Sequence, residues 1–205
     1  GIAFYTRAIE FDPDHTKAHL NRSFILLLLG KYKEGFAEYE WRWRHERTPP
    51  RPFTQPLWDG SNLEGRTILL HSEQGLGDTI QFIRYALLVQ ARGGHVVVEC
   101  QQPLVRLLTT VAGVQKVVPT GTTLPEFDVH APLLSLPRIL GTTLETVPAQ
   151  VPYLNSPHSP SLRLETLPGA YLKVGIVWAG NPQHRANHSR SCSLSHFLTI
   201  LNIPG

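Results

Sequence analysis

Thr67-Ile68-Leu69-Leu70-His71-Ser72-Glu73-Gln74-Gly75-Leu76-Gly77-Asp78-Thr79 is the stretch that decides the fold. A short apolar run bounded by turn residues reads as a buried strand. Two glycines then let the backbone turn tightly and come close to a ligand. A helix is expected from Asp78 to Arg92, and Gly93-Gly94 turns the chain into a second strand, His95–Cys100. Pro103 to Val111 reads as a helix that starts on proline. Val114–Val118 and Phe127–His130 read as two further strands. This alternation implies a parallel sheet covered on both faces.

The segments on either side have a different character. Residues 1–46 read as helices. Pro13 stops the first, and Gly30 offers the left-handed cap that ends the second. In the third, Phe36, Tyr39 and Trp43 are spaced to share one face. Residues 47–66 hold closely spaced prolines and read as an extended connector, with Trp58 as its docking residue. Residues 67–150 form the sheet domain. Residues 151–172 are read as a linker, within a Pro/Ser-rich stretch that runs from Pro148 to Pro168. Residues 173–205 open a further α/β domain, with a buried strand at Val174–Trp178 and a short helix near Ser195–Leu201.

Composition limits the function classes. The chain has 205 residues, net charge +3, 41% hydrophobic and 17% charged residues. With 16 Gly and 17 Pro, it falls short of the roughly 25–30% of a low-complexity chain. A disordered tail, a collagen and a supercharged nucleic-acid binder are excluded. Two cysteines make no disulfide framework and point to a reducing, cytoplasmic setting. The longest apolar run, Phe24–Leu29, is far below the roughly 20 residues of a membrane span. The chain begins at Gly1 and contains no Met, so it reads as an internal fragment.

Asp78 has three readings. It caps the helix; or Gly75 and Gly77 begin a dinucleotide fingerprint with Glu99 as the ribose acid, although Ile80 stands where the third glycine belongs; or its carboxylate is a general base. Trp41-Arg42-Trp43-Arg44 interleaves aromatics with cations, as single-strand nucleic-acid binders do. Residues 1–66 nevertheless balance 10 basic against 9 acidic side chains, so no nucleic-acid partner is expected. The reading adopted is cations complementing a helix end, with Trp43 continuing an apolar face. The ten histidines suggest no metal site: His184 and His188 are four apart, but they lie in a Pro/Asn/Ser-rich stretch with no nearby Cys or carboxylate. Cys192 reads as a small buried residue. The tail from Val174 has two Arg, three His and no acid. A Gly-Asn loop with a nearby Arg suits a diphosphate.

Two resemblances follow from these residues. Ala8, Pro13, Ala18, Leu20, Gly30, Tyr32, Gly35 and Tyr39 fall at signature positions of the tetratricopeptide repeat (TPR), with Gly35 and Arg42 standing where that family usually has Ala. Such pairs bury their faces only by stacking, which implies further repeats upstream. Ile68–Tyr85, Pro132–Pro137 and Val174–Pro182 resemble bacterial TPR proteins fused to a heptosyltransferase-like (family nine) GT-B glycosyltransferase. The fold so implied is α plus α/β: TPR hairpins, a Rossmann-like parallel-sheet domain forming the N-terminal half of GT-B, and the truncated start of a second.

The resemblance implies Asp78 as the catalytic base and Gln74, Gly75, Gly77 and Gln81 as the acceptor-site loop. It implies Gly180, Asn181, Arg190 and Ser191 as donor-phosphate contacts. The family's Asp ahead of the Arg-Ser pair has no counterpart in Ala186-Asn187-His188-Ser189. A nucleotide-sugar is the implied co-substrate with no bound cofactor or metal. A protein or glycan is the implied acceptor, and protein partners would bind through the TPR helices. The fragment alone is expected to be inactive. The rival expectations are a non-catalytic interaction scaffold and an NAD-dependent oxidoreductase.

Overall fold

The computed structural model describes residues 1–44, 50–156, 175–183 and 186–202. The chain divides into two compact units, Gly1–Ser159 and Pro160–Gly205. The first mixes helices with a four-stranded parallel sheet.

Its helical part comprises α1 (Ile2–Phe11), α2 (Thr16–Leu28) and α3 (Tyr32–Tyr39). Gly30 ends α2 as its sequence position suggests. Its φ of +74° lets the Gly30 N–H reach the Leu27 carbonyl and the Lys31 N–H reach that of Leu26. Those two bonds satisfy carbonyls that a helix end otherwise leaves open. Gly35, where the repeat pattern has Ala, lies at a close approach of α3 to α2. A Cβ there would stand 2.8 Å from the Leu27 side chain and 3.0 Å from its backbone nitrogen. After Tyr39 the helix tightens into a 3-10 segment, Glu40–Arg44. The expected apolar face therefore stops short of Trp43, and Arg42 is the residue that turns inward, 3% exposed.

The sheet is built from β1 (Thr67–His71), β2 (His95–Cys100), β3 (Val114–Pro119) and β4 (Val129–Pro132), in the order β3-β2-β1-β4. All pairs are parallel. The expected Phe127–His130 strand begins two residues later. Asp128 is held at the strand entrance instead, where its Oδ2 accepts the Thr67 N–H at 2.7 Å. The single helix expected over 78–92 is divided. It runs as α4 (Leu76–Phe82), a 3-10 turn over Ile83–Tyr85, and α5 (Ala86–Gln90). The Arg84 side chain braces that turn, donating to Gln81 O at 2.9 Å and Pro148 O at 2.8 Å. Further along, α6 (Val105–Leu108) precedes β3, and α7 (Leu136–Ile139) follows β4.

Side chains on a strand alternate between faces. Ile68, Leu70, Val96, Val98, Cys100, Val129 and Ala131 point to one side and join the helices in a single apolar core. Burial there raises the Cys100 thiol to about 11. The opposite face carries Leu69, His71, Val97, Glu99 and His130. The connector's Arg51 and Phe53 lie against it. Trp58 docks the connector as expected. It is 2% exposed, its indole N–H donates to Ser61 O, and its backbone N–H donates to His130 O beside β4.

The second unit departs from its expected form. Gly175–Trp178 is not a strand, and Val177 is 90% exposed. Among the described residues no neighbouring strand pairs with it; Trp178 O accepts the Cys192 N–H. Val174 lies outside the described residues, as do His184, Arg185 and the linker from residue 157. A short helix, α8 (Asn187–Arg190), and a 3-10 segment, Leu194–Asn202, follow. Cys192 is exposed, because the loop that carries it is not packed into a core. No helix among the described residues is long and apolar enough to cross a membrane.

The close approach at Gly35 yields a stability prediction. Ala would gain about 1 kcal/mol of helix propensity, against a cost of about 1–3 kcal/mol for overpacking against a backbone atom. Gly35→Ala should therefore lower the urea unfolding midpoint. A midpoint equal to wild type or higher would show that the two helices can separate freely.

Candidate functional site at the carboxyl end of the sheet

In an open parallel sheet, ligands bind beyond the carboxyl ends of the strands, where the strand order reverses. Here that point lies between β1, from which the chain moves to β2 and β3, and β4 on its other side. The loop after β1 carries Glu73 to Asp78, and the segment after β4 carries Ser135.

Arg42, from the helical part, fills the space between them. Its Nε and Nη2 donate to the two oxygens of Glu73 at 2.8 and 2.9 Å. Nη2 also donates to Ser135 Oγ at 2.7 Å, while Nη1 donates to Glu40 Oε1 at 2.8 Å and Tyr39 O at 3.2 Å. All five guanidinium N–H groups are thus engaged. The group also lies 4.7 Å from the Tyr39 ring centre and 4.4 Å from that of Trp43. Burial alone would lower its pKa, but the Glu73 and Glu40 carboxylates outweigh that and hold it above its ordinary value.

The rest of the loop is tied down residue by residue. Gln74 Nε2 donates to Tyr39 Oη at 2.6 Å, and Gln74 O accepts from Gln101 Nε2 at 2.6 Å. Gln101 Oε1 in turn accepts from Thr79 Oγ1 at 2.9 Å. Asp78 is not the N-cap that its residue type suggested: Gly75 holds that position, and Asp78, three residues on in the first turn of α4, reaches back so that its Oδ2 accepts the Gly75 N–H at 2.9 Å. Its Oδ1 has no hydrogen bond among the described residues. Neither loop glycine has a positive φ, so the turn itself does not need them. At Gly77 a Cβ would meet nothing within 4 Å, leaving open space at the first turn of α4. Gln81 stands three residues beyond Asp78, so the two are neighbours on α4. It lines a cleft of about 340 Å³ between the helices, together with Tyr32, Phe36, Phe82 and Tyr85.

Glu99, weighed as a ribose acid, is 1% exposed and not free for one. Arg51 Nη2 donates to its Oε1 at 3.1 Å, and Nη1 lies 3.0 Å from Oε2. Beside it, His71 Nε2 and His130 Nδ1 are 3.3 Å apart, and the Phe53 ring packs edge-on to both. His71 is 1% exposed and its Nδ1 has no partner among the described residues. Burial, then the neighbouring His130, Arg51 and Arg42 charges, lowers its pKa to about 3. His130 is lowered too, by burial and then Arg51.

In the second unit, the Gly180 N–H donates to Ser191 Oγ at 3.0 Å, and that hydroxyl donates to Asn187 Oδ1 at 2.6 Å. Asn181 Oδ1 accepts the Gln183 N–H at 3.0 Å. Gly180 and Ser191 are therefore brought together. Arg190 is exposed at the end of α8, and its side chain makes no hydrogen bond or ion pair among the described residues.

Sequence reasoning missed Arg42, Glu73, Ser135, Arg51 and the His71–His130 pair. Arg42 offered one signal, a cation where the repeat pattern has Ala.

A search of known proteins finds Protein FlbA of Caulobacter vibrioides similar to this chain. It is 27% identical over a stretch covering 40% of this chain and 20% of FlbA. The matched stretch is thus about a fifth of that relative's length. No protein-family model matches the chain, and no solved structure does.

The buried histidines fix the sign of a pH effect. Their folded pKa values lie below the unfolded value near 6.5, so unfolding takes up protons once the pH falls below about 6.5. Stability is therefore fully present above that pH and declines toward pH 3. By pH 5, His71 should contribute a slope of about 1.4 kcal/mol per pH unit. Urea unfolding of His71→Phe between pH 7 and 5 should show a flatter decline than wild type. An identical slope would mean that the imidazole is charged or solvated in the folded protein.

Proposed function

We propose that this chain is part of a GT-B glycosyltransferase with TPR helices ahead of its acceptor domain. The observation that carries the reading is Asp78. One of its oxygens is fixed on the Gly75 N–H, while the other has no partner among the described residues, beside the open first turn at Gly77. The carboxylate stands at the carboxyl end of a parallel sheet, at the strand-order reversal. The α2–α3 hairpin closed at Gly30 supports the TPR assignment.

In this reading Gln74, Gly75, Gly77 and Gln81 receive a protein or glycan hydroxyl. Asp78 Oδ1 takes its proton as the oxygen attacks the anomeric carbon of a nucleotide-sugar. The bond from that carbon to the phosphate oxygen breaks, and a nucleoside diphosphate leaves. Arg190, with the Gly180–Ser191 loop and Asn181, steadies the diphosphate. The setting is cytoplasmic.

A scaffold that binds partners without chemistry is the second reading. It is favoured by one observation: the Gly180 N–H and Ser191 hydroxyl already satisfy each other and Asn187.

Asp78→Asn separates the two. The amide keeps an oxygen for the Gly75 N–H, so the fold should persist. Losing a general base costs about 10²–10⁴ in rate. The full-length protein should release nucleoside diphosphate from one of UDP-glucose, UDP-N-acetylglucosamine or ADP-heptose in the presence of acceptor, and Asp78→Asn should reduce that release at least about 100-fold. Unchanged release by the variant would overturn the assignment of Asp78. No release by wild type from any of the three would favour the scaffold.

A further inference from the structure

Arg42 sits where an open parallel sheet takes its ligand, yet it belongs to the helical part of the chain. Its partners lie on the two segments that flank the strand-order reversal: Glu73 after β1 and Ser135 after β4. Tyr39, three residues earlier, grips the next loop residue through Gln74 Nε2. From the other side, Gln101 holds Gln74 O and Thr79 Oγ1. The loop is thus fastened on one side by the sheet and on the other by the helices. Packing alone could join α3 to the sheet domain through the Phe36–Phe82 ring contact. The five-donor arrangement at Arg42 adds something that contact lacks, a fixed position for the Glu73 carboxylate and so for the backbone that follows it.

We propose that Arg42 and Tyr39 are positioning residues for the Glu73–Asp78 loop, so that the helical hairpin and the loop form one mechanical element. The hairpin is then a working part of the site, and whatever binds the helices is felt at Gly75 and Asp78. The consequence for catalysis rests on the transferase reading; the positioning itself does not.

The test is amide hydrogen exchange in the full chain, read at Gly75 and Thr79, whose N–H groups are bonded to Asp78 Oδ2 and Gly75 O. Arg42→Met combined with Glu73→Leu removes both buried charges together, which often leaves stability little changed. The double variant should melt close to wild type and keep its β1 amides protected, while Gly75 and Thr79 exchange about ten-fold faster. Tyr39→Phe, which removes only the hydroxyl on Gln74, should speed Gly75 exchange about three-fold. Unchanged loop exchange in a folded double variant overturns the proposal. If the double variant opens globally, Tyr39→Phe decides: faster loop exchange alone supports the proposal, and unchanged exchange overturns it. Loop exchange that responds as expected in a protein that transfers no sugar would leave the positioning standing and sink the transferase reading.

Discussion

The buried pair of Arg42 and Glu73 is the constraint around which the rest is arranged. Their side chains are 4% and 5% exposed. Taking two charges out of water is costly, and the pair is tolerable only if its geometry is near ideal and the leftover donors are satisfied. The structure meets both conditions with a two-pronged contact to Glu73 and with Ser135, Glu40 and Tyr39 on the remaining N–H groups. Glu40 has further support, since it accepts from Ser135 Oγ and lies 3.6 Å from Arg138 Nε. The network joins the helices to the segments after β1 and β4, so those three parts of the chain share one geometry.

The sheet has two unlike faces, and that division explains where chemistry gathers. One face is apolar and bears the crossover helices. The other places two histidines and a glutamate among Leu69 and Val97, under Arg51 and Phe53. Buried polar groups need partners. Glu99 Oε1 accepts from Arg51, and His130 and His71 have each other. His71 Nδ1 and Glu99 Oε2 are left without a hydrogen bond among the described residues, although Arg51 Nη1 stands 3.0 Å from that oxygen. On this face the connector is attached by charge and by aromatic edges, while Pro56 to Trp58 join it to β4 through backbone bonds with His130.

What the sequence made legible was local. Gly30 announced its own turn, the Ile68–Leu70 and Val96–Val98 runs announced strands, and Trp58 announced a docking point by its size. Asp78 read as an N-cap by residue type, but α4 begins two residues earlier, at Leu76, and Gly75 holds the cap position. The missed features depend on distance along the chain. Arg42 meets Glu73 31 residues away and Ser135 93 away, so its own neighbourhood of aromatics and cations read as a solvated helix end. His71 and His130 are 59 residues apart and meet only through the β1–β4 pairing. The Val174–Trp178 run carried a strand pattern, but a strand also needs a hydrogen-bonding neighbour, and residues 175–178 have none among the described residues. The break at Ile83–Tyr85 was hidden because Arg84 reaches Pro148, 64 residues on.

The helices hold the site loop through one buried ion pair. A double-mutant cycle on unfolding free energy, with Arg42→Met, Glu73→Leu and the combination, measures that pair directly. Arg42→Met strands the Glu73 carboxylate and should cost about 3–5 kcal/mol. Glu73→Leu leaves Arg42 on Glu40 and should cost less. The double should cost less than the sum of the two, giving a coupling of at least about 2 kcal/mol. A coupling below about 0.5 kcal/mol, typical of an exposed pair, would show that the pair does not hold the loop.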